Sequence, residues 1–220
     1  MIFQDRAEAG EMLAKALTKW RGKDPLVVAI PRGAVPMGKI VAERLGGELD
    51  LVLTRKLPAP GNPEFAIGAV DETGWIYRAE YAGQTGATDT YLQAQAAAEL
   101  ETIRRRRAQY TPERPPLDPT GRVVIVVDDG LATGATMIAA LHAMRVRRPA
   151  RLICAVPVAS PDAIEKVRAY ADESSVCRRL GFSTPWGSSI DAFRRSMTPK
   201  SSRSCAALPN NPQCRKLSTR

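Results

Sequence analysis

Two adjacent carboxylates, Asp128 and Asp129, close the apolar run Val123 to Val127, and the segment Gly130-Leu131-Ala132-Thr133-Gly134-Ala135-Thr136 follows at once. The second feature is an anion cradle in the making. Amide N–H groups at a helix start point outward, small side chains leave them open, and Thr133 and Thr136 add hydroxyl donors. Carboxylates repel phosphate, so the pairing looks contradictory until the ligand carries phosphate, sugar hydroxyls and a metal ion together. The cradle then takes the phosphate, and the acids accept hydrogen bonds from vicinal hydroxyls. The loop is not a Walker loop, since GLATGAT lacks the GxxxxGK[ST] lysine, and no GxGxxG dinucleotide fingerprint is present.

The elements that must position these residues follow from periodicity. Asp5-Arg6-Ala7-Glu8 reads as a capping box opening a helix to about Trp20. Leu26 to Ile30 is a short all-apolar run of the kind buried on both faces in parallel sheets. The turn Pro31 to Pro36 leads to a helix from Met37 to Leu45, stopped by Gly46-Gly47. Leu49 to Arg55 is the next strand. Leu57 to Gly74, rich in Pro and Gly, is expected to be a mobile loop with a short strand at Ala66 to Val70. A long helix spans Thr88 to Tyr110, with Arg104 to Arg107 in its last turns, where cations suit the helix dipole or simply form a solvated face. Then come a strand at Val123 to Val127, a helix at Gly134 to Arg147, a strand at Leu152 to Val158 and a helix at Pro161 to Ala171. Strands alternating with helices imply an α/β parallel sheet with helices on both faces and ligands beyond the carboxyl ends of the strands.

VVIVVDDGLATGAT closely resembles the signature of type I phosphoribosyltransferases, which bind 5-phosphoribosyl 1-pyrophosphate with magnesium. The segment from VVAIPRGAVPMGKIVAERL to PEFAIGAV also looks like the front half of a bacterial phosphoribosyltransferase-like group of unassigned acceptor, and the likeness covers residues 1–173. The resemblance implies that Asp128 and Asp129 contact the ribose hydroxyls and that Ala132, Thr133, Gly134, Ala135 and Thr136 hold the 5′-phosphate. It implies a diphosphate loop at Pro31-Arg32-Gly33-Ala34, where backbone and the Arg32 side chain meet the leaving group and the peptide before Gly33 is strained or cis. Arg55 and Lys56 end the second strand and could reach the diphosphate.

The implied chemistry is displacement at the anomeric carbon through an oxocarbenium-like state, diphosphate leaving as a nucleobase-like nitrogen acceptor attacks. Magnesium, held mainly by diphosphate and ribose hydroxyls with Asp128 and Asp129 as possible protein ligands, would neutralise the leaving charge. One departure matters. Many members of the family close a loop carrying basic residues over the diphosphate, whereas Leu57 to Gly74 contains no Lys or Arg, leaving Lys56 and Arg32. A non-catalytic regulator binding phosphoribosyl pyrophosphate or nucleotides is therefore the alternative. His142, the only histidine, reads as a surface residue.

Bulk composition bounds the partners. The net charge of +9 suggests nucleic acid, but residues 174–220 hold nine Lys/Arg against one Asp, so residues 1–173 are close to neutral. A broad nucleic-acid face is not supported; a local patch at Arg104 to Arg107 is the remaining site for one. The first twenty residues are too charged for a signal peptide and no run suits a membrane helix, so cytoplasmic location without membrane contact is the expectation. A homodimer is compatible with the resemblance. The four cysteines have no metal-like spacing.

Composition changes abruptly after Glu173: Ser160 is the only serine before it, and ten follow. We read residues 1–173 as the domain and 174–220 as an irregular, disordered tail that is out of frame. With one G restored after codon 173 and GC-rich codons, the tail can encode a string beginning VVCL and ending DDAEVVALLR. That string resembles the way this group finishes, so the fold as written lacks its C-terminal part.

Overall fold

The computed structural model describes residues 3, 5–112 and 114–179, with backbone only at 178 and 179. Its elements are α1 (Arg6–Ala16), β1 (Leu26–Ala29), α2 (Val35–Leu45), β2 (Glu48–Leu51), β3 (Thr54–Ala59), β4 (Asn62–Asp71), β5 (Ile76–Arg78), α3 (Asp89–Tyr110), β6 (Val123–Val127), α4 (Ala135–Arg145), β7 (Arg151–Ala159), α5 (Pro161–Arg168) and β8 (Glu173–Arg179). Five strands form a sheet in the order β2-β1-β6-β7-β8, and every neighbouring pair is parallel.

Period-2 alternation explains why these strands read as continuous apolar runs. Val27, Ala29, Ile125, Val127, Ile153 and Ala155 face one layer with Leu13 and Leu17 of the α1 region and Met37 and Val41 of α2. Leu26, Val28, Val124, Val126, Leu152 and Cys154 face the other, with Met137, Ile138 and Leu141 of α4 and Ile164 and Val167 of α5. The chain is thus an α/β fold with helices on both faces of a parallel sheet. Order reverses between β1 and β6, so the ends of those two strands flank the crevice where such sheets bind ligands.

The expected second strand divides. β2 stays in the main sheet, Val52 N donates to Ala29 O at 3.2 Å, and the chain then leaves to begin β3 in a separate antiparallel sheet, β3-β4-β5. The Pro- and Gly-rich stretch expected as a mobile loop with a short strand at Ala66 to Val70 is a β-hairpin: that strand is present, within the longer β4, and β3 pairs with it across the turn. Its prolines are tolerated because Pro58 falls at a register irregularity and Gly61 takes the tight turn at φ 72°, positions that do not need a regular ladder. Leu57, Ile67 and Val70 of the hairpin pack on Leu92, Ala96 and Ile103 of α3.

A charged latch secures this second unit where the chain departs the main sheet. Arg107 pairs with Glu72 and donates to Leu51 O at 2.9 Å. Glu72 Oε1 accepts from Leu53 N at 2.6 Å, and buried Asp50 accepts from Arg114 at 3.1 Å and from Leu117 N at 2.7 Å. Arg107 is therefore committed to the interior, while Arg104 is exposed beside Glu101.

Near the C-terminal end, β8 runs six residues past Glu173, pairing Cys154 with Ser174 and Val156 with Val176. The remainder of the expected tail, 180–220, lies outside the described residues.

Candidate active site

β6 delivers both acids to the end of the sheet. Asp128 and Asp129 are only 6% and 8% exposed. Asp128 N donates to Ala155 O of β7 at 3.3 Å, and its Oδ1 accepts from Asp129 N at 2.8 Å. Asp129 Oδ2 lies 3.7 Å from Arg6 Nη2, at the first residue of α1. The same oxygen presses on the turn after β1: a Cβ built on Gly33 would overlap it, so only glycine allows this approach.

The cradle is tied down on its far side. Leu131 N donates to Val158 O at 3.0 Å and Ser160 N to Leu131 O at 3.0 Å, extending the β7 ladder into the loop. The Ser160 hydroxyl donates to Ala132 O at 3.0 Å and accepts from Ala163 N at 2.9 Å, so one buried side chain caps α5 and holds the loop. Gly134, at φ 82°, is the residue before α4. A left-handed backbone there, with Ala163 O 3.4 Å from where a Cβ would sit, makes glycine the fitting residue. Ala135 N approaches Thr133 Oγ1 at 3.5 Å. Lys56, Asp128 and the segment 130–137 line one cleft.

The expected diphosphate loop is a turn over the same end of the sheet. Ile30 N donates to Val127 O at 3.0 Å, and Ala34 N to Ile30 O at 3.3 Å, leading into α2. A cis peptide is present one position earlier than expected, between Pro31 and Arg32. Arg32 is exposed.

Two sequence expectations change. Arg55 is turned away from the cleft and held by Glu99 at 2.6 and 3.2 Å, because neighbouring strand residues point to opposite faces. Lys56 alone of the pair faces the cradle. His142 is not a free surface side chain: its Nδ1 lies 2.8 Å from Asp71 Oδ2, and its ring stacks on Trp75 at 4.0 Å between centroids.

Two contributors were missed by sequence reasoning. Ser160 carried a usable signal, a Ser-Pro-Asp helix start and the only serine before the composition break. Arg6 carried none, since nothing local links a capping-box residue to a distant acid. Cys154 lies behind Asp128 and is fully buried; burial, reinforced by the Asp128 charge, pushes its thiol far up and keeps it protonated. Among the described residues no group of three or more His, Cys, Asp or Glu could hold a metal ion, and no helix is long and apolar enough to cross a membrane.

Comparison with known proteins gives this geometry a context. Residues 2–191 match the model of the phosphoribosyl transferase domain. A Mycobacterium tuberculosis (strain CDC 1551 / Oshkosh) protein named "Putative phosphoribosyl transferase MT0597" is 35% identical over 173 residues, covering 78% of this chain and 39% of its own length. Its counterpart in strain ATCC 25618 / H37Rv, "Putative phosphoribosyl transferase Rv0571c", matches equally. The chain thus spans about two fifths of these curated relatives. The crystal structure of TT1426 from Thermus thermophilus superposes with a TM-score of 0.70 at 44% identity, covering 88% of this chain and 90% of that one.

Proposed function

Because the chain belongs to the type I phosphoribosyltransferase family, we propose that it transfers phosphoribose from 5-phosphoribosyl 1-pyrophosphate to a nitrogen base or similar nucleophile, with magnesium, releasing diphosphate. The observation that carries this reading is the single cleft in which Asp128, Lys56 and the 130–137 cradle meet beyond the strand ends. Open amides and two hydroxyls suit a phosphate, buried carboxylates suit sugar hydroxyls, and a lysine suits a leaving anion.

In this reading the amides and hydroxyls of 132–136 anchor the 5′-phosphate and fix where the sugar lies. Asp128 and Asp129 accept from the ribose hydroxyls and favour positive character on the ring as the anomeric bond lengthens. Arg32, the Gly33 backbone and Lys56 bind the departing diphosphate. These groups are fixed before reaction, so orientation and preorganised charge lower the barrier without a covalent enzyme intermediate. The donor set fits magnesium: it lacks a three-ligand protein cage but offers hard oxygens at Asp128 and Asp129, and such ions commonly take one or two carboxylates plus substrate phosphates. When bound, the ion would supply neutralisation of leaving-group charge. The activity would be a glycosyl transfer in cytoplasmic nucleotide metabolism.

Thermal unfolding with phosphoribosyl pyrophosphate and magnesium, against magnesium alone, tests binding. At 100 times the dissociation constant the ligand should add about 2.7 kcal/mol, roughly 5–11 °C for a domain this size. Diphosphate release with a panel of bases then tests turnover. Release with one class of base names the acceptor, binding without release makes the protein a regulator, and no shift removes the ligand assignment.

A further inference from the structure

The N-terminal helix enters the site through Arg6, and this contact answers a charge problem. Asp128 and Asp129 are consecutive and both buried, so two carboxylates share one poorly hydrated corner, where negative charge on one raises the cost of charge on the other. That corner must also accept a ligand with several phosphate charges. Arg6 Nη2 stands 3.7 Å from Asp129 Oδ2, with side chains only 10% and 12% exposed. At this separation it compensates charge rather than clamping with two short bonds.

The pair reaches further than itself. Asp129 Oδ2 is also the atom that the Gly33 position abuts, so Arg6, Asp129 and the Pro31–Gly33 turn form one chain of contacts. Arg6 is placed rigidly. Asp5 caps α1 by accepting from Glu8 N at 2.8 Å, and Ala9, Leu13 and Ala14 anchor the helix in the core.

We propose that Arg6 is a positioning residue: by compensating Asp129 it keeps that carboxylate against Gly33 and leaves the turn able to receive diphosphate. The inference rests on the phosphoribosyl pyrophosphate reading above. Without Arg6, the buried carboxylate would lose this compensation and the contact that orients it as the anion arrives. The effect is graded by ligand: ribose 5-phosphate shares the hydroxyl contact with Asp129, but it carries no diphosphate for the turn to receive and its phosphate is held by the separate cradle at 132–136.

Calorimetric titration of the full chain with phosphoribosyl pyrophosphate and with ribose 5-phosphate, both with magnesium, distinguishes these ligands in wild type, R6Q, R6K, D129N and R6Q/D129N. R6Q should lose about tenfold or more affinity for the pyrophosphate and clearly less for ribose 5-phosphate, which meets Asp129 only through its hydroxyls. R6K, which keeps the charge, should recover most of the loss, and R6Q/D129N should bind like D129N alone. If R6Q does not fold by itself, R6K and the charge-balanced double variant carry the comparison. A wild type that binds pyrophosphate beside an R6Q that binds it equally well overturns the role of Arg6 only. Equal loss of both ligands, unrelieved by D129N, shows general damage and also overturns it. A wild type that binds neither ligand overturns the underlying reading and this inference with it.

Discussion

Asp71 Oδ2 and His142 Nδ1 lie 2.8 Å apart, joining the end of β4 to the last turn of α4. Asp71 is completely buried and also accepts from Thr73 N at 2.8 Å and Trp75 N at 3.1 Å. One carboxylate therefore shapes the turn into β5 and fastens the hairpin sheet to the helix that begins at the phosphate cradle. His142→Ala removes one donor and the surface on which Trp75 stacks. The expected cost is about 1–3 kcal/mol, seen as a fall in Tm of about 2–4 °C per kcal/mol in a chain this long. Tryptophan fluorescence should shift with it. An unchanged Tm would mean that the contact is incidental to the docking of the two sheets.

Gly33→Ala addresses the site directly. The added methyl would overlap Asp129 Oδ2, so either the turn or the carboxylate must move. Overpacking of this kind costs about 1–3 kcal/mol, which the fold can absorb. Ligand binding should suffer more, with phosphoribosyl pyrophosphate affinity falling by about tenfold or more, since misplacement near 1 Å is costly where orientation matters. Calorimetry on a variant that still unfolds cooperatively makes the comparison. Wild-type affinity would show that Asp129 is not held by this turn.

The acid limb of stability should depend on Asp172. Burial acts to raise its carboxyl, but the hydrogen bonds from Arg145 and from Leu152 N, together with the charges of Arg145 and Arg151, outweigh this and hold it below its ordinary value. A group depressed on folding stabilises the protein above its unfolded pKa, and that contribution disappears as pH falls through the folded value. Since Leu152 N to Asp172 Oδ2, at 2.7 Å, ties the start of β7 to the entry of β8, the loss should loosen the sheet edge first. Urea midpoints followed from about pH 5 downward should fall less steeply in Asp172→Asn than in wild type. Parallel curves would assign the acid limb to other carboxylates.

How much of this was legible in the sequence depends on the range of the interaction. Leu26 to Ile30 and Val123 to Val127 could be read because strands covered on both faces must be apolar at every position. The acid pair and cradle could be read because their chemistry is contiguous. The hairpin was obscured by Pro58, Pro60 and Gly61, which mark loops in isolation; here Pro58 sits at a slipped register and Gly61 in the turn itself. Arg55 and Lys56 were indistinguishable until the phase of β3 placed one on Glu99 and the other over the cleft. Arg6 and Asp129 meet only after the whole sheet is assembled, and no local pattern encodes such a pair.

β8 offers a test of the reading frame. Ser174 pairs with Cys154 on the neighbouring strand, and its hydroxyl is buried without a hydrogen-bond partner. A strand covering the edge of an apolar sheet favours a β-branched apolar residue there, and a buried unpaired hydroxyl is costly. The shifted reading places Val at both 174 and 175, which is the chemistry this edge calls for. We therefore expect Ser174→Val to stabilise the chain by about 1–2 kcal/mol, and sequencing of the coding DNA across codons 173 and 174 to reveal a missing G. A destabilised Ser174→Val variant would show that the hydroxyl has a role at the edge, and an intact reading frame would make the serine- and arginine-rich segment a genuine product.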